Sequence, residues 1–560
     1  MAIVSKGFVA VPHGEVHFRY AGRGPTVVLL HDSPRSSVLH AQNVEWLGEE
    51  FTVLALDTPG YGNSTPLPID EPDIAAFSRA LSGTLTALGI ERCAIYGFHS
   101  SSKIALQFAV DHPERVALAV LDGLSLPAQA PGEDYLRTYL LPFTPTIEGD
   151  YIARQWSKLL DFHRYYPWFS RVAASRFPMN LPDDRRLHEY ATDVFMAGPA
   201  WTSAYGAALR YLAKPWVPLL KSPTVFLCRE DDVLCRHLDS LPDPLPDRCR
   251  IERVPASAAA WRTRLLDLLR DARLPDAGWS PPAPGRHSPA AESRQRYVDL
   301  VHGQVRIRTR GPVSSTTPVV LLHDLPGSPR QVEGLARLLS VDRLTIVPDL
   351  PGLGESDPLP SPTLGAYVSI LDDTLQALGI DTVDVVAEGL GTVFAAALAA
   401  NRPQRVRRTV LDGVPVIRSR DRKRYVREYC PRVVPDRAGS HLLRLWEQLR
   451  TAHISWPWFE RSASAARVRD AQLDALELHD ALVAAMKQPD HYGDAARAAL
   501  DAAVRDIAKG VSQPTLVMQD ARDVRYGGTG SLRRRLQRAT VVPRSAVLSE
   551  RAAACLEFLG

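Results

Sequence analysis

Short, almost wholly apolar runs recur along the chain, each followed by a longer stretch of helical spacing. In the first half they are Val27-Val28-Leu29-Leu30, Thr52 to Asp57, the run ending at Tyr96-Gly97, and Val116 to Asp122. Such runs lack the alternation of a half-exposed sheet and suit strands buried on both faces. Strands alternating with helices predict a mostly parallel sheet flanked by helices, an α/β fold. One helical stretch leads to Leu88-Gly89, where the glycine suits a helix C-cap.

The pattern is written twice. Val27 to Asp32 reads as Val319 to Asp324 does, and Asp57-Thr58-Pro59-Gly60-Tyr61-Gly62 corresponds to Asp349-Leu350-Pro351-Gly352-Leu353-Gly354, both at an offset of 292 residues. Ala87-Leu88-Gly89-Ile90 corresponds to Ala377-Leu378-Gly379-Ile380, and Leu121-Asp122-Gly123 to Leu411-Asp412-Gly413, both at 290. Landmarks in one order with small changes of offset imply a duplicated domain with loop insertions and deletions.

After each Leu-Asp-Gly the strand rhythm stops. Residues from about 125 to 217 and from about 415 to 510 are rich in Trp, Tyr and Arg and read as helical caps inserted over the sheet's C-terminal edge. Strand patterns resume at Pro223 to Leu227 and Pro514 to Met518, and amphipathic helices near 258–272 and 547–559 close the halves. The Pro/Gly/Ser-rich run within 275–295 reads as a linker. The expected domains are therefore 1–274 and 296–560.

The stretch Tyr96-Gly97-Phe98-His99-Ser100-Ser101 falls where a strand turns into a helix. With His31-Asp32-Ser33-Pro34, Asp57-x-Pro-Gly-x-Gly and Leu-Asp-Gly, it resembles the α/β-hydrolase superfamily and its G-x-S-x-G nucleophile elbow. The ordered recurrence of these motifs in both halves extends the resemblance over nearly the whole chain. Trp156, His163, Pro167 and Trp168 match Trp446, His453, Pro457 and Trp458 at an offset of 290, which is similar to a subgroup with a G-x-H-[ST]-G elbow and a Trp-containing cap.

The resemblance implies three catalytic positions: nucleophile, His base and an acid that orients the His. The acid position falls on Asp232 and Asp523, with a turn or cap aspartate as the structural alternative. The base position, in the loop after the last strand, holds no His: it reads Val254 to Trp261 and Val542 to Val547. The nucleophile position holds His99 in the first half and Gly389 in the second. Gly389 has no side chain, so the second half reads as degenerate, with Glu388 and the cap His453 the remaining acid/base groups.

His99 is the leading candidate, because an imidazole titrates near neutrality and can act as acid or base. Ser100 is a displaced nucleophile candidate. Backbone N–H groups of Ser33 and Ser100, and of Leu325 and Leu390, would form the oxyanion holes. Asp32, and Asp324 in the repeat, replace the glycine usual after the His and bring a carboxylate close to the hole. Asp32 could instead orient His31 or His99, and His31 alone reads more simply as structural. Around the cap, His163, Tyr165 and Trp168 would wall a pocket for a bulky, fairly apolar ligand, or only pack the cap.

With 560 residues, 45% apolar and 23% charged, the chain suits two soluble globular domains. A net charge of +3 argues against a nucleic-acid partner, and no apolar run is long enough to span a membrane. Six scattered Cys, without CxxC or Cys/His spacing, point to free thiols in a reducing cytoplasm and to no metal or cofactor. The two halves are expected to pack within the chain, with a homo-oligomer the open alternative. Three functions follow: non-covalent acid/base conversion of a small apolar organic molecule at His99, by cyclisation, elimination, addition or cleavage; hydrolysis of an ester, epoxide or C–C bond with His163 or His237 reaching the elbow; or a catalytically inactive scaffold. The Ala/Arg/Pro-rich composition is associated with bacterial specialised metabolism.

Overall fold

A computed structural model describes residues 2–177, 179–276, 278–281, 293–467, 471 and 473–560. The chain divides into two compact units. One comprises residues 1–144, 158–181 and 190–285; the other comprises 145–157, 182–189 and 286–560. Most of the expected 275–295 linker lies outside the described residues.

The first unit is built on strands β1 (Ser5–Val11), β2 (Gly14–Ala21), β3 (Thr26–Leu30), β4 (Thr52–Leu56), β5 (Cys93–Phe98), β6 (Val116–Asp122), β7 (Thr224–Arg229) and β8 (Cys249–Val254). They form one sheet in the order β1-β2-β4-β3-β5-β6-β7-β8. The β1–β2 and β2–β4 pairs are antiparallel and the rest parallel. Every residue of β3, β4 and β6 is buried, as their unbroken apolar sequences require. On one face Val27, Leu29, Val53, Tyr96 and Val120 pack with Leu265 and Leu268 of the closing helix Ala258–Asp271. Helix Ile74–Ala87 starts where the Asp73 carboxylate accepts the Ala76 N–H at 2.7 Å, and it ends before Gly89 at φ 71°.

The second unit repeats this plan with β9 (Arg294–Leu300), β10 (Gly303–Arg310), β11 (Val319–Leu322), β12 (Thr345–Pro348), β13 (Val383–Glu388), β14 (Val406–Asp412), β15 (Thr515–Gln519) and β16 (Ala539–Pro543). The order β16-β15-β14-β13-β11-β12-β10-β9 is the same arrangement read from the other edge. The twofold α/β organisation expected from the internal repeat is thus present, each sheet mostly parallel and flanked by helices. Among the described residues no helix is long and apolar enough to cross a membrane.

In a parallel sheet the strands end together, so the loops beyond β3, β5, β6 and β7 converge on one edge, where open α/β sheets bind ligands. The turn after β5 is tight. A Cβ on Gly97 would lie 2.6 Å from the Ser101 carbonyl oxygen, so only glycine lets strand and helix approach this closely. His99 then takes φ 50°, a left-handed value costing a non-glycine residue about 1–2 kcal/mol. The helix Ser100–Asp111 starts immediately after it.

Candidate functional site

The strained turn presents the His99 ring to Asp232, which follows β7. Nε2 of His99 lies 2.7 Å from Asp232 Oδ2, with the two side chains 29% and 13% exposed. The second Asp232 oxygen accepts the Leu234 N–H at 2.8 Å, which fixes the carboxylate in its turn. Gly123, the end of Leu-Asp-Gly, makes room: a Cβ there would lie 2.5 Å from His99 Cδ2. Phe98 stacks on the imidazole at 4.0 Å between centroids. With Nε2 donating to Asp232, Nδ1 carries the lone pair and has no hydrogen-bond partner among the described residues.

Burial opposes charge on His99, yet its pKa is raised, because the Asp232 hydrogen bond and the nearby Asp232, Asp32 and Asp122 carboxylates outweigh desolvation. Asp232 is correspondingly lowered: burial raises it, and His99 more than reverses this. Asp32 goes the other way. Burial raises it, Arg35 and His99 offset only part, and its Oδ1 is a buried acceptor without a partner. Arg35 is itself tied to Asp193 at 2.6 Å and lies over the Tyr190 ring. Tyr139, Tyr205 and Phe162 form an aromatic cluster in this unit.

Several expected roles are corrected. His31 is not oriented by the Asp32 carboxylate: its Nδ1 meets the Asp32 backbone carbonyl at 2.8 Å and its Nε2 accepts the Thr58 N–H at 3.0 Å. Both ring nitrogens are therefore spent on holding loops. The Ser33 N–H does not stand open as a hole donor, because it donates to Ser100 Oγ at 2.7 Å. Ser100 Oγ in turn donates to Ser33 Oγ at 3.0 Å, which takes it away from His99 as a base. His163 Nδ1 is held by the Leu159 carbonyl at 2.9 Å, one turn back along the chain, and His237 Nδ1 accepts the Leu126 N–H at 3.1 Å from the segment after β6. The Tyr165 backbone pairs with Arg176 in an isolated bridge, and the Trp168 indole donates to the Tyr139 carbonyl at 3.0 Å.

The second unit keeps the backbone of the site and changes its charges. Gly389 has φ 55°, matching His99. The Asp324 carboxylate occupies the oxyanion hole: its Oδ1 accepts the N–H groups of Leu325 and Leu390, each at 2.8 Å. Arg525 Nη2 donates to the same oxygen at 2.6 Å. A Cβ on Gly389 would lie 2.1 Å from Asp324 Oδ1 and 2.3 Å from Arg525 Nη2, so these groups fill the space a side chain would take. Asp523, the counterpart of Asp232, is clasped by Arg467 at 2.7 Å. Asp412 takes Arg544 at 2.8 Å, and Arg551 bridges Glu388 at 2.9 Å and Asp412 at 3.4 Å. In the first unit the equivalent Asp122 is met by neutral donors instead, Tyr96 and Trp261, each at 2.7 Å. Burial raises Asp122 to about 6. His453 lines a cavity of about 130 Å³ with Glu388 and Gly389.

A family model described as the alpha/beta hydrolase fold matches residues 25–242 and, separately, 317–474. The chain belongs to this family. Among curated proteins it is 36% identical over 107 residues to a fluoroacetate dehalogenase from a Burkholderia species, covering 18% of this chain and 35% of that one. It is 30% identical over 112 residues to a 2-hydroxy-6-oxo-6-phenylhexa-2,4-dienoate hydrolase from Comamonas testosteroni, covering 19% and 39%. The match thus spans little more than a third of the length of these relatives. Among solved structures, an enol-lactonase from Burkholderia xenovorans aligns at 18% identity and a TM-score of 0.36, covering 47% of this chain and 99% of that one.

Within this hydrolase-fold chain, no family motif marks the arginines at the second site. The internal repeat could have found them. Phe177 and Arg467 hold one position, each donating its N–H to a cap carbonyl, Phe177 to that of Arg164 and Arg467 to that of Ile454. Leu234 and Arg525 hold another, each donating its N–H to the acid two residues earlier.

Proposed function

We propose that the first domain is an acid/base catalyst that works without a covalent enzyme intermediate, His99 moving the proton and Asp232 orienting it. The 2.7 Å bond between His99 Nε2 and Asp232 Oδ2 carries this reading. It fixes the tautomer in which Nδ1 is the base and sets a carboxylate beside the imidazolium that forms on proton uptake. Ser100 Oγ, engaged with Ser33, is not activated for attack. The raised, unpartnered Asp32 carboxyl supplies a second polar group for an oxygen of the substrate. The aromatic cluster of Tyr139, Phe162 and Tyr205 supports a small apolar organic substrate bearing a carbonyl, and cyclisation, elimination, addition or bond cleavage all begin with such a proton transfer. The Comamonas relative acts, by its name, on a phenyl-bearing oxo-dienoate, which sets a carbonyl beside an aromatic ring.

Replacing His99 by Ala or Gln should lower turnover of the natural substrate about 10²–10⁴-fold. Unchanged turnover would remove His99 from the mechanism. Family membership favours one second reading, hydrolysis in which His99 activates a water. Reaction in H₂¹⁸O separates hydrolysis from cyclisation and elimination: label in the product beyond the carbonyl exchange measured without enzyme marks water as the nucleophile.

A further inference from the structure

The second-domain cavity, of about 130 Å³, is comparable to one that holds a benzene ring. Its charges can be counted. Arg525, Arg467, Arg544 and Arg551 are each matched to an acid, Asp324, Asp523, Asp412 and Glu388 respectively. Glu477 lines the same cavity and is left over. Its carboxylate has no ion pair or hydrogen bond among the described residues. It sits three residues after the N-cap Asp474, where a capping box would turn it back to the Asp474 N–H, but here the cap bond runs from the Glu477 N–H to the Asp474 carboxylate at 2.7 Å. A second acceptor is also unmatched: Gln331, another lining residue, has a buried carbonyl oxygen without a partner. The groups that would bind an anion are already consumed, since Asp324 fills the backbone hole.

We propose that this cavity binds a small organic cation, an ammonium or guanidinium, whose N–H groups are taken by Glu477 and Gln331. Unpaired acceptors in an otherwise neutralised cavity call for a ligand that donates and carries positive charge. Tyr429 and Trp458 on the lining add aromatic surface suited to its alkyl part and its charge. The site is independent of His99 and of the reaction assigned to the first domain.

The charged groups around Glu477 are Glu388, Asp474 and Asp324, which raise its carboxyl, and Arg330, which lowers it; burial is the largest cause and brings it to about 7. Cation binding should therefore strengthen as pH rises from about 6 to 8. The test is calorimetry on the full chain at low ionic strength with three isosteres: isobutylammonium, isobutanol and isobutyrate. Isobutylammonium should bind at least about tenfold more tightly than either other probe. Glu477→Gln should remove that preference while keeping the melting temperature, and Gln331→Leu should weaken it severalfold. His99→Ala should leave it intact. Equal or tighter binding of isobutyrate or isobutanol would overturn the proposal. So would no binding of the cation at about 10 mM, or a preference that survives in folded Glu477→Gln and Gln331→Leu proteins.

Discussion

His99 and Asp232 meet at 2.7 Å across 133 positions of sequence, and each moves the other's titration. If neutral His99 is the base, activity rises with pH through its raised pKa. Asp232→Asn removes the charge that raises it and leaves at most a neutral acceptor, so the rising limb of the pH–rate profile should shift to lower pH. The maximal rate should fall about 10²-fold or more as the tautomer is released. A profile whose inflection does not move would break the link between these residues.

Ser100 gives a complementary expectation. Its Oγ is the acceptor for the Ser33 N–H, so it acts as a plug in the backbone hole rather than as an attacking group. Ser100→Ala should keep turnover within a few-fold, and a fluorophosphonate probe should leave Ser100 unlabelled in the native protein. Mass spectrometry of probe-treated protein checks the second point.

At the second site, Arg525 is 8% exposed and Asp324 depends on it. Burial raises the Asp324 carboxyl, but Arg525 and the Leu390 and Leu325 N–H groups hold it below its ordinary value. Arg525→Leu leaves that half-buried charge with only its two N–H donors and should cost about 1.5–3 kcal/mol. Arg525→Leu combined with Asp324→Leu should recover much of the loss. Urea unfolding followed in the single and double variants measures the coupling.

The pair of His17 Nδ1 and Asp57 Oδ2, at 2.8 Å, is fully buried beneath the first sheet's loops. Burial would raise Asp57, but His17 and the Asn63 N–H hold it well below the usual carboxylate range. Its contribution is therefore complete above the unfolded value of about 3.9 and is lost as pH falls towards the folded one. Asp57→Asn should destabilise the protein at neutral pH and flatten its stability curve between about pH 5 and 2. Thermal melts across that interval read this directly.

The sheets were legible because burial on both faces leaves continuous apolar runs: β6 begins and ends at Val116 and Asp122, the bounds its sequence suggests. The elbow was legible because Gly97 and the residue two places on are fixed by a turn that tolerates few alternatives. The partner of His99 was reached only through family position, since nothing local ties residue 99 to residue 232. The hydrogen bonds that engage the Ser33 N–H and both ring nitrogens of His31 were not legible, because each depends on where a carbonyl, hydroxyl or N–H points in space. The four arginines were hidden for another reason. In a linear sequence an arginine near the solvated face of a helix and one clasping a buried acid look alike, and Arg467 lies 56 residues from Asp523.

The space around Gly389 has a consequence for how such a site can change. Adding a His there by a single substitution drives its Cβ into Asp324 and Arg525, whereas removing Arg525 first takes the counter-charge from a half-buried carboxylate. Either first step crosses a barrier that only a simultaneous change avoids. The arrangement therefore works as a ratchet: Gly389→His should give a folded second His–Asp pair only together with Arg525→Leu and Arg467→Phe, so the two repeats can drift further apart more easily than they can become alike again.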